Sequence, residues 1–452
     1  MKLEPKTPCH VVALPYPGRG HINPMMNLCK LLVSKQHDIL ITFVLTEEWH
    51  GFIGSDPKPE NVRFTTVPNV IPSEIGRAKN FPGFMEAVCT KLQEPVELLL
   101  DQLEPRVSVL VADSFVVLGV GVANKRNIPV ASLWTMSASV FSTLDHFEML
   151  RDNGHFPADV SVRGDEVIDY IPGISTTRLA DLPAIFNGVG LQTLHIALEA
   201  FSNTYKAQHL LSTSFYELEP QAFDTLRTKL SLPVYPIGPS IPYFELSKPA
   251  RGNDLNHLHW LDSQPKDSVL YISLGSYLSV SKVQRDEIIA GVKDSGVRFL
   301  WVARGEASEL KHGVGDNGLV VPWCDQLRVL CHSSIVGFWS HCGWNSIQEA
   351  VYAGLPVLTC PIFSDQLPNG KQIVEDWKIG YRMKKKKVGG GDLVTREEIA
   401  ELVQRVMDVE SIEGKEMRKR AKQLQETCQG AIAKGGSSDS NLDAFIKDIS
   451  QV

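Results

Sequence analysis

Short apolar runs alternate with stretches of helical periodicity along the whole chain. Cys9–Leu14 (CHVVAL) reads as a buried strand. The loop Pro15–Gly20 (PYPGRG) follows, and Ile22–Leu32 has the spacing of an amphipathic helix. Further strands are predicted at Asp38–Leu45, Val62–Val67, Val107–Ala112, Pro129–Trp134, Leu210–Thr213 and Val234–Ile237. Helices are predicted at Pro82–Leu103, interrupted or restarted around Pro95, and at Thr135–Leu150 and Gln192–Tyr205. Arg151–Gly190 is loop-rich. The proline- and glycine-rich stretch Gly238–Asp254 reads as a boundary, with 241–254 as the linker. Beyond it, strands are predicted at Val269–Leu274, Arg298–Val302, Ile335–Trp339 and from Pro356 to Leu358. Helices are predicted at His257–Leu261, Gln284–Lys293, Asn345–Tyr352, Arg396–Met407, Lys415–Gln429 and Ser440–Ile449. This alternation predicts two Rossmann-like, doubly wound α/β domains, 1–240 and 255–437.

Chemistry concentrates at strand ends. After Ile335–Trp339 comes the turn Ser340-His341-Cys342-Gly343, and then a helix that stops at Gly354. Strand, glycine turn, helix and the next strand, from Pro356, form a βαβ unit, whose natural ligand is a phosphate. The first turn of a helix has free N–H groups and a partial positive charge. Asn345 and Ser346 lie at that turn, and His341 stands just before it. Glu349 follows on the same helix as an acceptor for a ribose hydroxyl, and Trp323 offers a flat ring to a base. Gly275-Ser276 ends another strand in a small-residue turn suited to a phosphate. In the first half, His21 lies at a strand-to-helix junction, where open α/β sheets place ligands. Asp113 directly follows an apolar strand. A buried unpaired carboxylate is expensive, so it either caps the next helix or pairs with another group. Pairing with His21 is favoured, since both end strands of one sheet.

Composition narrows the class. The chain has 452 residues, 43% hydrophobic and 21% charged, with net charge −7. No basic tract is long enough to expect nucleic acid as a partner. The run Lys384–Lys387, followed by Val-Gly-Gly-Gly, reads as a solvated loop. Of the eight cysteines, four lie between Trp323 and Gln366, near His332 and His341. Their spacing fits no zinc pattern, and the set points to a reducing compartment. The segment MKLEPKTP carries charges and two prolines before a short apolar run, unlike a signal peptide. No apolar stretch reaches the ~20 residues of a membrane span. A soluble, cytoplasmic protein with no transmembrane segment is expected.

The stretch Trp323–Gln366 resembles the signature box of plant secondary-product UDP-glycosyltransferases. Trp323, Gln326, the run His341–Ser346 (HCGWNS), Glu349, Asp365 and Gln366 all fall on the family pattern. PGRGHINP and YISLGS extend the likeness to most of the chain. Two departures are mild: Val336 replaces a frequent glycine, and Ser340 a frequent threonine.

The resemblance implies a GT-B architecture, with two Rossmann-like domains facing across a cleft and the last helix, about 438–452, returning to the first domain. The N-terminal domain would bind a small lipophilic acceptor and the C-terminal domain a UDP-sugar. His21 would be the catalytic base and Asp113 its partner. Ser276, Trp323, Cys324, Gln326, His341, Trp344, Asn345, Ser346, Glu349, Asp365, Gln366 and Thr135 would hold the donor, although packing suits Trp344 as well. Phe81, Met85, Phe115, Phe141, Phe186 and Phe201 are candidate walls of the acceptor pocket. The family's single displacement inverts the sugar carbon, giving a β-glucoside from UDP-glucose, with glucose favoured by Gln366. No Asp-x-Asp motif is present, so no metal or other cofactor is expected, and a monomer is expected.

Two other classes compete. A degenerate UDP-sugar-binding protein would not need both His21 and Asp113. An NAD-dependent oxidoreductase would need GxGxxG, and PGRGHINP lacks the third glycine.

Overall fold

The computed structural model describes residues 9–250, 254–275, 281–303, 317–383, 386–388 and 391–450. These divide into two compact units, 1–241 with 430–452, and 242–429.

The first unit is built on a parallel sheet. Its strands are β1 (Cys9–Leu14), β2 (Ile39–Thr46), β3 (Val62–Val67), β4 (Val109–Asp113), β5 (Val130–Trp134), β6 (His209–Ser212) and β7 (Val234–Pro236). Their order is β3-β2-β1-β4-β5-β6-β7. β1 is buried almost throughout, because helices cover both faces of a parallel sheet. Successive side chains leave a strand in opposite directions. Val11 and Ala13 therefore join one core cluster, and Val12 and Leu14 another on the opposite face. The chain winds from β1 outward to β3, then crosses to β4 on the other side of β1. That reversal makes a crevice at the carboxyl ends of β1 and β4.

The last helix, Ser437–Ile449, packs on this unit. Leu442, Phe445, Ile446 and Ile449 enter the same core as Val11 and Ile22. Lys35 pairs with Asp443 at 2.6 Å, and the Asn441 amide donates to the Pro236 carbonyl at 2.9 Å.

The second unit holds β8 (Val269–Ser273), β9 (Arg298–Val302), β10 (Gly318–Val321), β11 (Ile335–Ser340), β12 (Val357–Thr359) and β13 (Gly380–Arg382). The order is β10-β9-β8-β11-β12-β13, all parallel. Its direction reverses between β8 and β11, so the loops after those two strands form the equivalent crevice. Among the described residues, no helix is long and apolar enough to cross a membrane.

The structure corrects several expectations. The interruption expected in Pro82–Leu103 is present, between Phe81–Lys91 and Gln93–Gln102, but it falls at Leu92 and not at Pro95. Pro95 lacks an N–H and its ring crowds the carbonyl four residues back, which places the break at Leu92. Thr135–Leu150 is not one helix from Thr135: it starts at Ala138 and is followed by a short helix at Phe147–Asp152. The Ser137 hydroxyl caps the start by accepting from Val140 N–H, and the buried Glu219 carboxylate accepts from the N–H groups of Ala138 and Ser139. The stretch 241–254 is not wholly a free linker. The Arg328 guanidinium donates to the carbonyls of Glu245, Leu246 and Lys248, at 3.0, 3.3 and 2.9 Å. The second unit accordingly begins at Pro242, and it ends at Gln429, eight residues before the boundary expected at 437.

Candidate active site

Each unit carries a cluster of polar side chains at its sheet crevice. In the first unit the helix after β1 begins at Arg19, with Gly18 as its N-cap, so His21 stands in the first helical turn. Its backbone N–H bonds to the Gly18 carbonyl at 2.9 Å. The ring Nδ1 lies 2.8 Å from Asp113 Oδ2. A carboxylate cannot donate, so Nδ1 carries a proton, and in the neutral ring the lone pair is on Nε2. The Asp113 side chain is fully buried, while that of His21 is 25% exposed. Asp113 also accepts from Phe115 N–H through Oδ1, at 2.9 Å. The aspartate therefore both caps the following turn and pairs with His21. Tyr16 and Phe115 flank the imidazole, with ring centroids 4.9 and 6.0 Å away.

Thr135 follows β5 and is buried. Its hydroxyl oxygen lies 2.9 Å from the same His21 Nδ1. The nitrogen has one proton, so both oxygens share it in a three-centre arrangement, and the threonine proton points elsewhere.

In the second unit the helix Trp344–Ala353 follows β11 and ends at Gly354, whose φ of +71° is the left-handed C-cap conformation. Cys342 sits before the helix at φ +67°. A non-glycine residue there is strained, and such strain collects at functional turns. Ser340 Oγ accepts from the Cys342 N–H at 3.0 Å, which supports the turn. His341 is wedged between two glycine backbones. A Cβ on Gly275 would lie 2.9 Å from its ring, and one on Gly343 2.5 Å. Burial pushes the imidazole pKa down to about 4, with the Ser273 backbone acting weakly the other way. His341 is thus neutral near pH 7. Ser276 lies outside the described residues.

Gln326 connects the rest. Its Nε2 donates to Ser346 Oγ at 2.8 Å and to Glu349 Oε2 at 2.5 Å. Its Oε1 accepts from the buried Tyr271 hydroxyl at 3.1 Å. Burial raises the Glu349 pKa to about 7, opposed by the Gln326 bond. Trp323 is 49% exposed, as a stacking platform needs to be, whereas Cys324 and Trp344 are buried. Trp344 therefore contributes packing. At the far end of the box, Gln366 Oε1 accepts from the N–H groups of Ile362 and Phe363, at 2.8 and 3.0 Å. Only its amide nitrogen is left to reach outward. Asp365 accepts from Asn369, which also donates to the Cys342 carbonyl at 3.0 Å.

Sequence reasoning missed Tyr271 and Asn369. Tyr271 lies 55 residues before Gln326, so only the sheet brings them together. Asn369 carried a readable signal: a polar residue four positions after Asp365 on one helix.

The aromatic candidates separate. Phe115 lies beside His21, and Phe81 and Phe201 are partly exposed. Met85, Phe141 and Phe186 are buried in the core. Phe141 packs edge-on against Trp134, and Phe186 stacks on Phe147.

Comparison with known proteins matches this arrangement. A profile of the family described as UDP-glucoronosyl and UDP-glucosyl transferase covers residues 58–412. UDP-glycosyltransferases 87A1 and 87A2 of Arabidopsis thaliana are 53% and 54% identical to the chain. Each alignment covers 97% of this chain, and 100% and 96% of the respective relative. Among solved structures, Medicago truncatula UGT71G1 complexed with UDP-glucose superposes with a TM-score of 0.82 at 28% identity, over 98% of both chains. Phytolacca americana UGT2, complexed with UDP-2fluoro-glucose and pterostilbene, gives 0.82 at 27% identity, over 98% of this chain and 100% of that one. The expected GT-B class therefore holds, and the chain belongs to the UDP-glucoronosyl and UDP-glucosyl transferase family, as a glycosyltransferase of its plant branch.

Proposed function

We propose that the protein moves glucose from UDP-glucose to a hydroxyl or carboxyl of a small lipophilic plant metabolite, with inversion, giving a β-glucoside. The observation that carries this is the 2.8 Å contact between His21 Nδ1 and Asp113. It leaves Nε2 as a lone pair on a part-exposed ring. In the reaction, the acceptor O–H loses its proton to Nε2 as its oxygen attacks the anomeric carbon. The bond from that carbon to the phosphate oxygen breaks, and UDP leaves with its electron pair. Asp113 steadies the imidazolium and holds the tautomer.

The second unit holds the donor. The helix N-terminus at Asn345 and Ser346, with His341 and Ser276, meets the diphosphate. Trp323 stacks on the base, Glu349 and Gln326 take the ribose, and Asp365 and Gln366 take sugar hydroxyls. The UDP-glucose of one related complex and the pterostilbene of another support a glucose donor and a phenolic class of acceptor. No metal is needed, because the positive helix end and the histidine occupy the role that a DxD-bound cation plays elsewhere. A cytoplasmic monomer fits the reading.

The experiment is a panel of phenols, terpenoids and hormones with UDP-glucose, UDP-galactose and UDP-glucuronate, read by mass spectrometry. Products carrying one added hexose, fastest from UDP-glucose, support the proposal. Binding of UDP with no product and no slow donor hydrolysis would identify a degenerate relative instead.

A further inference from the structure

After β3 the chain makes a short 3₁₀ helix, Glu74–Lys79, capped by the Ser73 hydroxyl, which accepts from Ile75 N–H at 3.2 Å. The Glu48 carboxylate fastens this helix by accepting from the Ser73 hydroxyl at 2.5 Å and from the Glu74 N–H at 2.9 Å. Arg77 Nη1 pairs with Glu74 Oε2 at 3.0 Å. The same nitrogen lies 3.5 Å from the Pro17 carbonyl, and the guanidinium stands over the Phe84 ring, 5.7 Å from its centroid. Phe84 lies 6.1 Å from Tyr16, and Tyr16 lies 4.9 Å from His21.

The loop that Arg77 touches is the one that presents His21. Pro15 and Pro17 have no N–H, so this loop has fewer backbone donors to brace it. Gly18 is extended at φ −165°, a conformation any residue adopts. Its backbone does not require glycine. A Cβ there would collide with Arg77 Nη1. The arginine side chain is only 11% exposed.

We propose that Arg77 is a positioning residue for the transfer: its guanidinium, held by Glu74, occupies the space above Gly18 and fixes the loop that carries His21. This rests on His21 as the base. Displacing a base by about 1 Å costs up to ~10²-fold in rate. Burial raises the Glu74 pKa to about 7, opposed by Arg77, Arg19 and His21 and reinforced by Glu48. The strength of the Glu74–Arg77 pair therefore changes in the working pH range.

The test measures turnover on an accepted phenol, the Michaelis constant for UDP-glucose, the pH profile and thermal unfolding. The variants are Arg77→Ala, Arg77→Lys, Gly18→Ala, the double variant Gly18→Ala/Arg77→Ala, and His21→Ala. Arg77→Ala should lose about 10- to 100-fold in kcat with an unchanged constant for UDP-glucose, and millimolar guanidinium ion should restore part of it. Arg77→Lys should lose less and shift the acidic limb of the pH profile less. Gly18→Ala should be damaging alone but add nothing to Arg77→Ala, because the collision partner is gone. Should Arg77→Ala unfold, the Arg77→Lys profile and the single Gly18→Ala variant carry the test. The proposal is overturned if Arg77→Ala or Arg77→Lys keeps wild-type kcat and pH profile, or if Gly18→Ala costs the same factor in both backgrounds. Turnover that survives His21→Ala overturns the base assignment instead, whatever Arg77 does.

Discussion

The hydroxyl oxygen of Thr135 lies 2.9 Å from His21 Nδ1, the same nitrogen that donates to Asp113. The resemblance to plant glycosyltransferases assigned Thr135 to the sugar, while the geometry gives it a hold on the base. The two roles have different kinetic signatures. A hydrogen bond is worth about 0.5–1.5 kcal/mol net. Thr135→Val should therefore lower kcat by about two- to tenfold with the Michaelis constant for UDP-glucose unchanged. A raised constant at unchanged kcat would return Thr135 to the sugar.

The pH dependence of UDP binding follows from Glu349. Its carboxyl is raised to about 7 by burial. A ribose hydroxyl donates more strongly to the ionised form, so binding tightens as pH rises through 7. At pH 6 about a tenth of the sites are ionised, so affinity should be weaker than at pH 8 by up to about tenfold. His341 stays neutral across this window, since its pKa is lowered to about 4. Glu349→Gln should weaken binding and flatten the profile, which separates this titration from that of UDP itself. Calorimetry at several pH values reads both. A wild-type profile that matches Glu349→Gln would remove Glu349 from the ribose.

Much of the site was readable because its residues crowd into one stretch. Trp323, Gln326, His341, Ser346 and Glu349 are close in sequence, and strand, turn and helix fix their directions. The His21–Asp113 pair was readable because His21 opens the helix after β1 and Asp113 ends β4, the neighbouring strand of one sheet. What escaped was contact between distant segments. Glu219 sets the start of the helix at Ala138 from 81 positions away, and Tyr271 reaches Gln326 across the sheet. The strands β10 and β13 were missed because they are short edge strands without a long apolar run. Phe141 and Phe186 could not be sorted from the sequence, because a core aromatic and a pocket aromatic have the same sequence signature.

Stability of the first unit should depend on Glu219. Its carboxylate accepts four bonds, from Ala138 N–H, Ser139 N–H, the Ser139 hydroxyl and the Ser214 hydroxyl, at 2.6–2.9 Å. Glu219→Ala would orphan these donors in the interior, at a cost of about 3 kcal/mol or more. Glu219→Gln keeps one acceptor oxygen and should cost less. Thermal unfolding with and without urea measures both. A loss below about 1 kcal/mol for the alanine variant would show that water replaces the carboxylate.

Metal independence is expected on chemical grounds. The chain has no Asp-x-Asp motif, and the proposed diphosphate site is a helix N-terminus with a histidine beside it. Turnover should survive dialysis against EDTA. A loss that Mg²⁺ or Mn²⁺ restores would place a cation in the site.

The two histidines should fail in different ways. His21 is proposed to take the proton, and it belongs to the first unit. His341 is proposed to face the diphosphate, and it belongs to the second. General base catalysis is worth about 10²–10⁴-fold, so His21→Ala should lose that much turnover while UDP affinity stays nearly constant. His341→Ala removes a donor to a charged group, worth about 1.5–3 kcal/mol, so UDP binding should weaken by roughly 10- to 100-fold and turnover should fall with it. Gly343→Ala should mimic His341→Ala, since the added Cβ would drive into the imidazole. Asp113→Asn should resemble His21→Ala in kind. The double variant should be no worse than His21→Ala alone, because the aspartate acts through the histidine. Turnover on an accepted phenol and UDP affinity by calorimetry decide the matter. If His21→Ala keeps more than about a third of wild-type turnover, far outside the range of a general base, another group takes the proton.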